Sequence, residues 1–194
     1  MKNAGRLCAM ALLILASVAR ADNSAQITAT LDAFHAAAGR ADSAAYFGYM
    51  TSDVVFLGTD GAERWQGSQF REFVQPRFEA GKGWSYQSVA RNITIAPDAS
   101  TAWFDETLSH ATLGACRGSG VLVLEQDHWK IAQHNLSVPI PNAMVLEVAD
   151  QIAQLESGQE AGDAGAATTA QELPEPKSGN CTRKGHKSNR VAGC

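Results

Sequence analysis

Cysteine is scarce and badly placed for holding a fold together. Of four in 194 residues, Cys8 lies near the start, Cys181 and Cys194 near the end, and only Cys116 in the body of the chain. A disulfide framework is therefore excluded, and a packed core has to supply the stability. In an oxidising compartment Cys116, Cys181 and Cys194 allow one bond, in three alternative pairings, with a thiol left over. Long apolar runs are missing except at residues 7–18, which are too short to span a bilayer as a permanent helix. There is no basic excess: 16 Lys and Arg stand against 20 Asp and Glu, which argues against nucleic-acid binding. The familiar catalytic signatures are absent as well. Without G-x-S-x-G, a P-loop, G-x-G-x-x-G, H-E-x-x-H or C-x-x-C, the chain offers no ready serine nucleophile, nucleotide cradle, zinc helix or redox pair. His35, His110, His128 and His134 follow no ligand spacing, and Cys181, His186 and Cys194 are too loosely set for zinc. No metal and no cofactor are expected.

What is present begins with an export signal. Lys2 and Arg6 precede the apolar run, and Ala19-Arg20-Ala21 follows it in the A-x-A form of a cleavage site. Residues 1–21 thus read as a signal peptide, residues 22–157 as the folded domain and residues 158–194 as a tail. Cleavage removes three basic residues and no acidic one, leaving a formal charge of 13 − 20 = −7. The exported protein, periplasmic or secreted, would keep no membrane anchor. The tail is dominated by Gly, Ala, Thr, Glu and Pro with no periodicity. Such a segment cannot bury enough surface to offset its ordering entropy, so disorder is expected there.

Between the two ends the periodicity changes from helix to strand. Ser24 can cap a helix whose stripe is Ile27, Leu31, Phe34 and Ala38, ending at Gly39. Asp42 can cap a shorter helix bearing Tyr46, Phe47 and Met50. Val54-Val55-Phe56-Leu57 reads as a buried strand and Arg64-Trp65 as a short one. A third helix opens at Gly67-Ser68 with Phe70, Phe73, Val74 and Phe78 on one face, and Pro76 predicts a kink or break inside it. Strands are expected over residues 84–95 and 101–110. Residues 116–142 then form two more strands and an exit, with Gln126-Asp127 as the turn and Pro139 and Pro141 ending the ladder. Asn142 can cap a last helix carrying Val145, Val148, Ile152 and Leu155. Helices gathered on one face of a run of antiparallel strands is an α+β arrangement.

Polar residues inside apolar strands are the candidates for chemistry. On residues 101–110 the even positions Ala102, Phe104 and Leu108 are apolar, and Glu106 interrupts them. A carboxylate buried without a partner has the raised pKa that a general acid or base needs. A tight hairpin at Leu113-Gly114 would set Glu106 on the face of Arg117, Ser119 and Val121. The plain alternative is that Glu106 and Arg117 merely neutralise each other, since structural ion pairs outnumber catalytic carboxylates. Gln133 and Asn135 share the face of Trp129 and Ile131. With a three-residue turn they join Glu106 and Arg117 in one polar cluster; with a two-residue turn they match Leu122 and Leu124 and the cluster is split. His35, beside Phe34, is placed at a pocket mouth or on the surface. Trp65, Trp84, Trp103 and Trp129 serve a core by default, or line a cavity for a flat apolar ligand.

The stretches F-L-G-T-D-G-A-E-R-W-Q-G, G-K-G-W-S-Y, T-A-W-F-D-E, C-R-G-S-G and W-K-I-A-Q-H-N-L-S-V-P-I-P-N resemble, in this order, the SnoaL-like domains of the nuclear transport factor 2-like superfamily. The resemblance covers residues 27–152. It implies a cone-shaped barrel of strongly curved antiparallel sheet, three N-terminal helices on the concave side, a C-terminal helix, and often a homodimer formed through the sheet. Members include cyclases, ketosteroid isomerases and epoxide hydrolases, so fold alone leaves function open. Asp105 or Glu106 sits where such domains place a carboxylate. Three readings follow. The first is binding of a small, partly apolar molecule in the cone, by Trp65, Trp84, Trp103, Gln133 and Asn135. The second is a cofactor-independent isomerase, cyclase or hydrolase using Glu106 or Asp105 as base and Arg117 to stabilise developing negative charge. The third is an oligomerisation module.

Overall fold

The computed structural model describes the backbone of residues 4–162 and the side chains of residues 22–157. The chain divides into two units, residues 1–145 and residues 146–194. In the first, helix α1 (Ala4–Gly39) runs without a break through the expected cap at Ser24. No Gly or Pro occurs between residues 6 and 38 to interrupt it, and the Ser24 carbonyl accepts a hydrogen bond from the Thr28 hydroxyl instead. The stripe Ile27, Leu31, Phe34 and Ala38 is buried as its spacing requires. Asp42 caps α2 (Ser43–Gly48), its carboxylate accepting from the Ala45 amide at 3.1 Å.

Six strands follow with one more helix: β1 (Met50–Leu57), β2 (Arg64–Gln66), α3 (Ser68–Glu79), β3 (Gln87–Ile95), β4 (Thr101–His110), β5 (Gly114–Glu125) and β6 (His128–Ser137). Pro76 lies inside α3 without breaking it; the helix ends at Glu79, just ahead of Gly81, which takes φ +70°. The third strand begins at Gln87 rather than at residue 84. The sheet order is β2-β1-β6-β5-β4-β3. It is mixed rather than wholly antiparallel, because β1 pairs with β6 in parallel. Asn142 does not cap the last helix: it opens a one-turn 3-10 segment, Asn142–Met144, ahead of α4 (Val145–Gly162). The backbone of residues 158–162 is helical and continues α4; residues 163–194, most of the expected tail, lie outside the described part. No described helix is long and apolar enough to cross a membrane.

The interior between helices and sheet is filled by its own side chains. Phe34, Tyr46, Phe56, Phe70, Phe104, Trp129 and Ile131 belong to one buried cluster. Phe56 stacks on Phe70 with ring centroids 4.2 Å apart.

Two features of the ladder decide which polar residues reach that interior. After β4 the loop Ala111-Thr112-Leu113 holds three residues, because the His110 ring accepts from the Thr112 and Leu113 amides and Gly114 adopts φ +71°. Glu106 therefore faces Gly118, and Arg117 faces Thr107. After β5, Gln126 and Asp127 both adopt left-handed φ values, 50° and 62°, and make a two-residue turn. The register then shifts by one residue: Leu122 faces Ile131, but Val121 faces Gln133. This bulge at Ala132 turns the inward set from Trp129 and Ile131 to His134 and Leu136. Neither register open to the sequence holds along the whole strand.

Candidate functional site

Glu106 is the centre of a buried polar cluster, with 1% of its surface exposed. Arg91, its partner across β3, sends Nε to Glu106 Oε2 at 2.9 Å and Nη2 to the same oxygen at 2.8 Å. Arg91 Nη1 reaches α1, donating to Asp32 Oδ1 at 2.9 Å and to the Thr28 carbonyl at 3.3 Å. From the next turn of α1, His35 Nε2 meets Glu106 Oε1 at 2.6 Å. Burial alone would raise the Glu106 pKa. The hydrogen bond and charge of His35, together with Arg91, outweigh it and hold the carboxyl at about 2. Glu106 is therefore ionised at neutral pH, an acceptor rather than an acid.

Two inward glycines make this possible. A Cβ at Gly118 would stand 2.8 Å from Glu106 Oε1, and one at Gly120 would press on the Gln133 backbone carbonyl, beside the bulge. The alternation Gly118-Ser119-Gly120 thus clears space for a carboxylate on one position and for the bulged strand on the next.

His134 completes the cluster from β6. It is 2% exposed, and its ring packs against Phe34, Phe56 and Phe104. Neither ring nitrogen has a hydrogen-bond partner. Burial first, then the neighbouring His35, pushes its pKa down to about 3, so the imidazole is neutral. One nitrogen of His35, one of His134 and a Glu106 oxygen all lie within 4.8 Å of one another.

His35 connects this cluster to solvent. It lines a cleft of about 380 Å³ formed by Asp32, His35, Ala36 and Gly39 of α1, by Arg40 just past its end, and by residues 85–88. Tyr86 contributes an aromatic wall, and burial pushes its hydroxyl up to about 12, which keeps it a hydrogen-bond donor.

The other residues singled out from the sequence lie elsewhere. Arg117 is exposed on the outer face of the sheet, opposite Thr107, and does not meet Glu106. Asp105 is exposed on that same face and accepts from the Asn92 amide at 3.0 Å. Gln133 and Asn135 face Val121 and Ser119 there, placed outward by the bulge. Trp103 is 49% exposed on the outer face. Trp65 stacks on Phe73 at 4.3 Å, and Trp84 packs on Tyr46 and Phe78, so both are core margins. Asp32, His35, Arg91 and His134 are the partners that strand periodicity did not single out. Asp32 and His35 at i and i+3 on one helix face was the available signal; for His134 there was none, since its direction depends on the bulge.

The sequence profile of the SnoaL-like domain matches residues 27–141, more than half of the chain. The chain belongs to the SnoaL-like domain family. Among solved structures it is similar to a candidate scytalone dehydratase from Novosphingobium aromaticivorans, at 8% identity and TM-score 0.55, over 64% of this chain and 89% of that one. An uncharacterised protein with a cystatin-like fold from Caulobacter vibrioides matches at 18% identity and TM-score 0.53, over 65% and 99% of the two chains. A protein of the DUF3225 family from Pectobacterium atrosepticum matches at 21% identity and TM-score 0.52, over 62% and 93%. These likenesses show the fold alone, the α+β cone. No curated protein matches the sequence.

Proposed function

We propose that this SnoaL-like domain binds a small molecule in the cleft between α1 and the start of β3, with His35 as the residue that meets it. The observation that carries the reading is a buried, ionised Glu106 that fixes a histidine lining a solvent-reachable cleft. The interior of the cone is a poorer location, because aromatic side chains fill it. Asp32, Arg40, Gln87 and the serines offer donors and acceptors around the single aromatic wall of Tyr86. That lining suits a hydroxylated or keto-bearing ring better than a wholly apolar ligand. Cleavage after Ala21 and export, and pairing of two copies through the outer sheet face, belong to the same proposal; an intact mass measured from the exported fraction under native conditions tests both.

Catalysis is the second reading, and one geometric feature favours it. When Nε2 of His35 donates to Glu106, its lone pair is left on Nδ1, the arrangement of a carboxylate-oriented general base. A cofactor-independent dehydration or isomerisation needs that kind of group, and the resemblance to a candidate scytalone dehydratase points the same way. Binding of hydroxylated aromatic and cyclic keto compounds to the full chain, followed by calorimetry, tests the first reading. His35→Asn is expected to weaken binding by about 10-fold or more, as loss of a hydrogen bond to a charged or strongly polar group does. An empty cleft against the whole panel, or unchanged affinity in the variant, would sink it. Deuterium wash-in at the acidic carbon of a bound ketone, followed by NMR, decides the second.

A further inference from the structure

We propose that His35, Glu106 and His134 form a binding site for a divalent transition-metal ion, with Zn2+ the best match. Binding and proton transfer at the cleft need only His35 and Glu106, and leave His134 unexplained. A fully buried imidazole with two unsatisfied nitrogens is costly, because each desolvated polar group forfeits its hydrogen bonds to water. Here that ring is aimed at two other ligand-type groups within 4.8 Å, contributed by three separate elements, α1, β4 and β6.

The donor set has the right chemistry. Two imidazole nitrogens and one carboxylate oxygen suit a borderline ion such as Zn2+, and three protein ligands leave a position open for water or a ligand. Both histidines have to be neutral to coordinate, which His134 already is. The charge balance is also suitable. Arg91 is shared between Asp32 and Glu106, so one guanidinium faces two carboxylates and a negative charge is left over. In the metal-free protein His35 Nε2 meets that carboxylate; on coordination through Nε2 the ring keeps its one proton on Nδ1 and the ion takes the place of the hydrogen bond. Tetrahedral Zn–N and Zn–O bonds of about 2 Å put ligand atoms roughly 3.3 Å apart, so His35 Nε2 and Glu106 Oε1 must open from 2.6 Å while the wider separations, up to 4.8 Å, close, movements of the size that side-chain torsions supply. Outer support is in place: Arg91 holds the other Glu106 oxygen, and the rings of Phe34, Phe56 and Phe104 enclose the inner side. His35 opens the path from the cleft.

The test uses the full chain carrying Cys181→Ser and Cys194→Ser, so that tail thiolates do not compete, after dialysis against a chelator. Zn2+ and Co2+ are titrated by calorimetry, and the Co2+ complex is read by its visible spectrum. One ion per chain is expected, with a rise in Tm and a spectrum of nitrogen and oxygen ligation. His134→Phe keeps the ring shape and should weaken binding by about 100-fold, in the range that loss of support at a metal centre produces. His35→Asn serves as the second variant, with near-UV circular dichroism confirming that each is folded. Absence of stoichiometric binding, or binding that both folded variants retain, would overturn the proposal. So would a crystal grown with Zn2+ that shows a water and no anomalous signal between the three residues. Loss of organic-ligand binding leaves this result untouched, so the two proposals fail separately.

Discussion

Replacing Glu106 with Gln removes one charge while keeping the side-chain shape, and the structure sets the size of the effect. Burial opposes the carboxylate, yet His35 and Arg91 hold its pKa at about 2 against an ordinary 4.5. At 1.36 kcal/mol per pH unit, that difference corresponds to ~3 kcal/mol of stability at neutral pH. An independent estimate agrees, since removing one partner of a buried pair costs about 3–5 kcal/mol. The lower end applies because Arg91 keeps Asp32. The sign follows from the depressed pKa. The stabilisation is complete above the unfolded value near 4.5 and is lost as pH falls toward 2. The wild type should therefore lose ~1 kcal/mol of its advantage over Glu106→Gln by pH 4 and ~2 kcal/mol by pH 3. Urea unfolding of chelator-treated protein, followed by tryptophan fluorescence, to which buried Trp129 contributes, measures this at each pH. A domain worth about 5–15 kcal/mol tolerates the change. A loss below ~1 kcal/mol at pH 7, or a difference that stays constant between pH 5 and pH 3, would refute the reasoning.

Three further outcomes use the same unfolding assay on metal-free protein. His134→Phe should raise stability by ~1–3 kcal/mol at pH 7, because it removes an imidazole with no partner. Since the folded His134 pKa lies near 3 rather than 6.5, the wild type should lose ~2 kcal/mol between pH 6.5 and 5, and the variant should not. Gly118→Ala should cost ~1–3 kcal/mol, as its Cβ would crowd Glu106 Oε1 at 2.8 Å, whereas Ser119→Ala on the outer face should stay within ~0.5 kcal/mol. Asp42→Ala should cost ~1 kcal/mol by uncapping α2.

Periodicity and punctuation made most of the elements legible. The stripe of α1, the cap at Asp42, the apolar even positions of β4 and the turn at Gln126-Asp127 depend on neighbours a few residues apart, and local rules read them correctly. Glu106 was legible for the same reason: a carboxylate in an apolar series is visible without coordinates. Its partners were not. Parity across a hairpin depends on one loop residue, and the His110 side chain set that loop at three. The direction of every residue beyond Ala132 depends on a bulge that no pattern in β6 announces. So Arg117, which the hairpin parity placed beside Glu106, and Gln133 and Asn135, which only one of the two registers placed there, face outward, while His134 turns in. Arg91, His35 and Asp32 come together only because α1 lies against β3. Which residues are polar within an apolar surface is a property of the sequence by itself. Which of them meet was decided by one loop, one bulge and the packing of one helix, each a tertiary choice between registers that differ by a single residue.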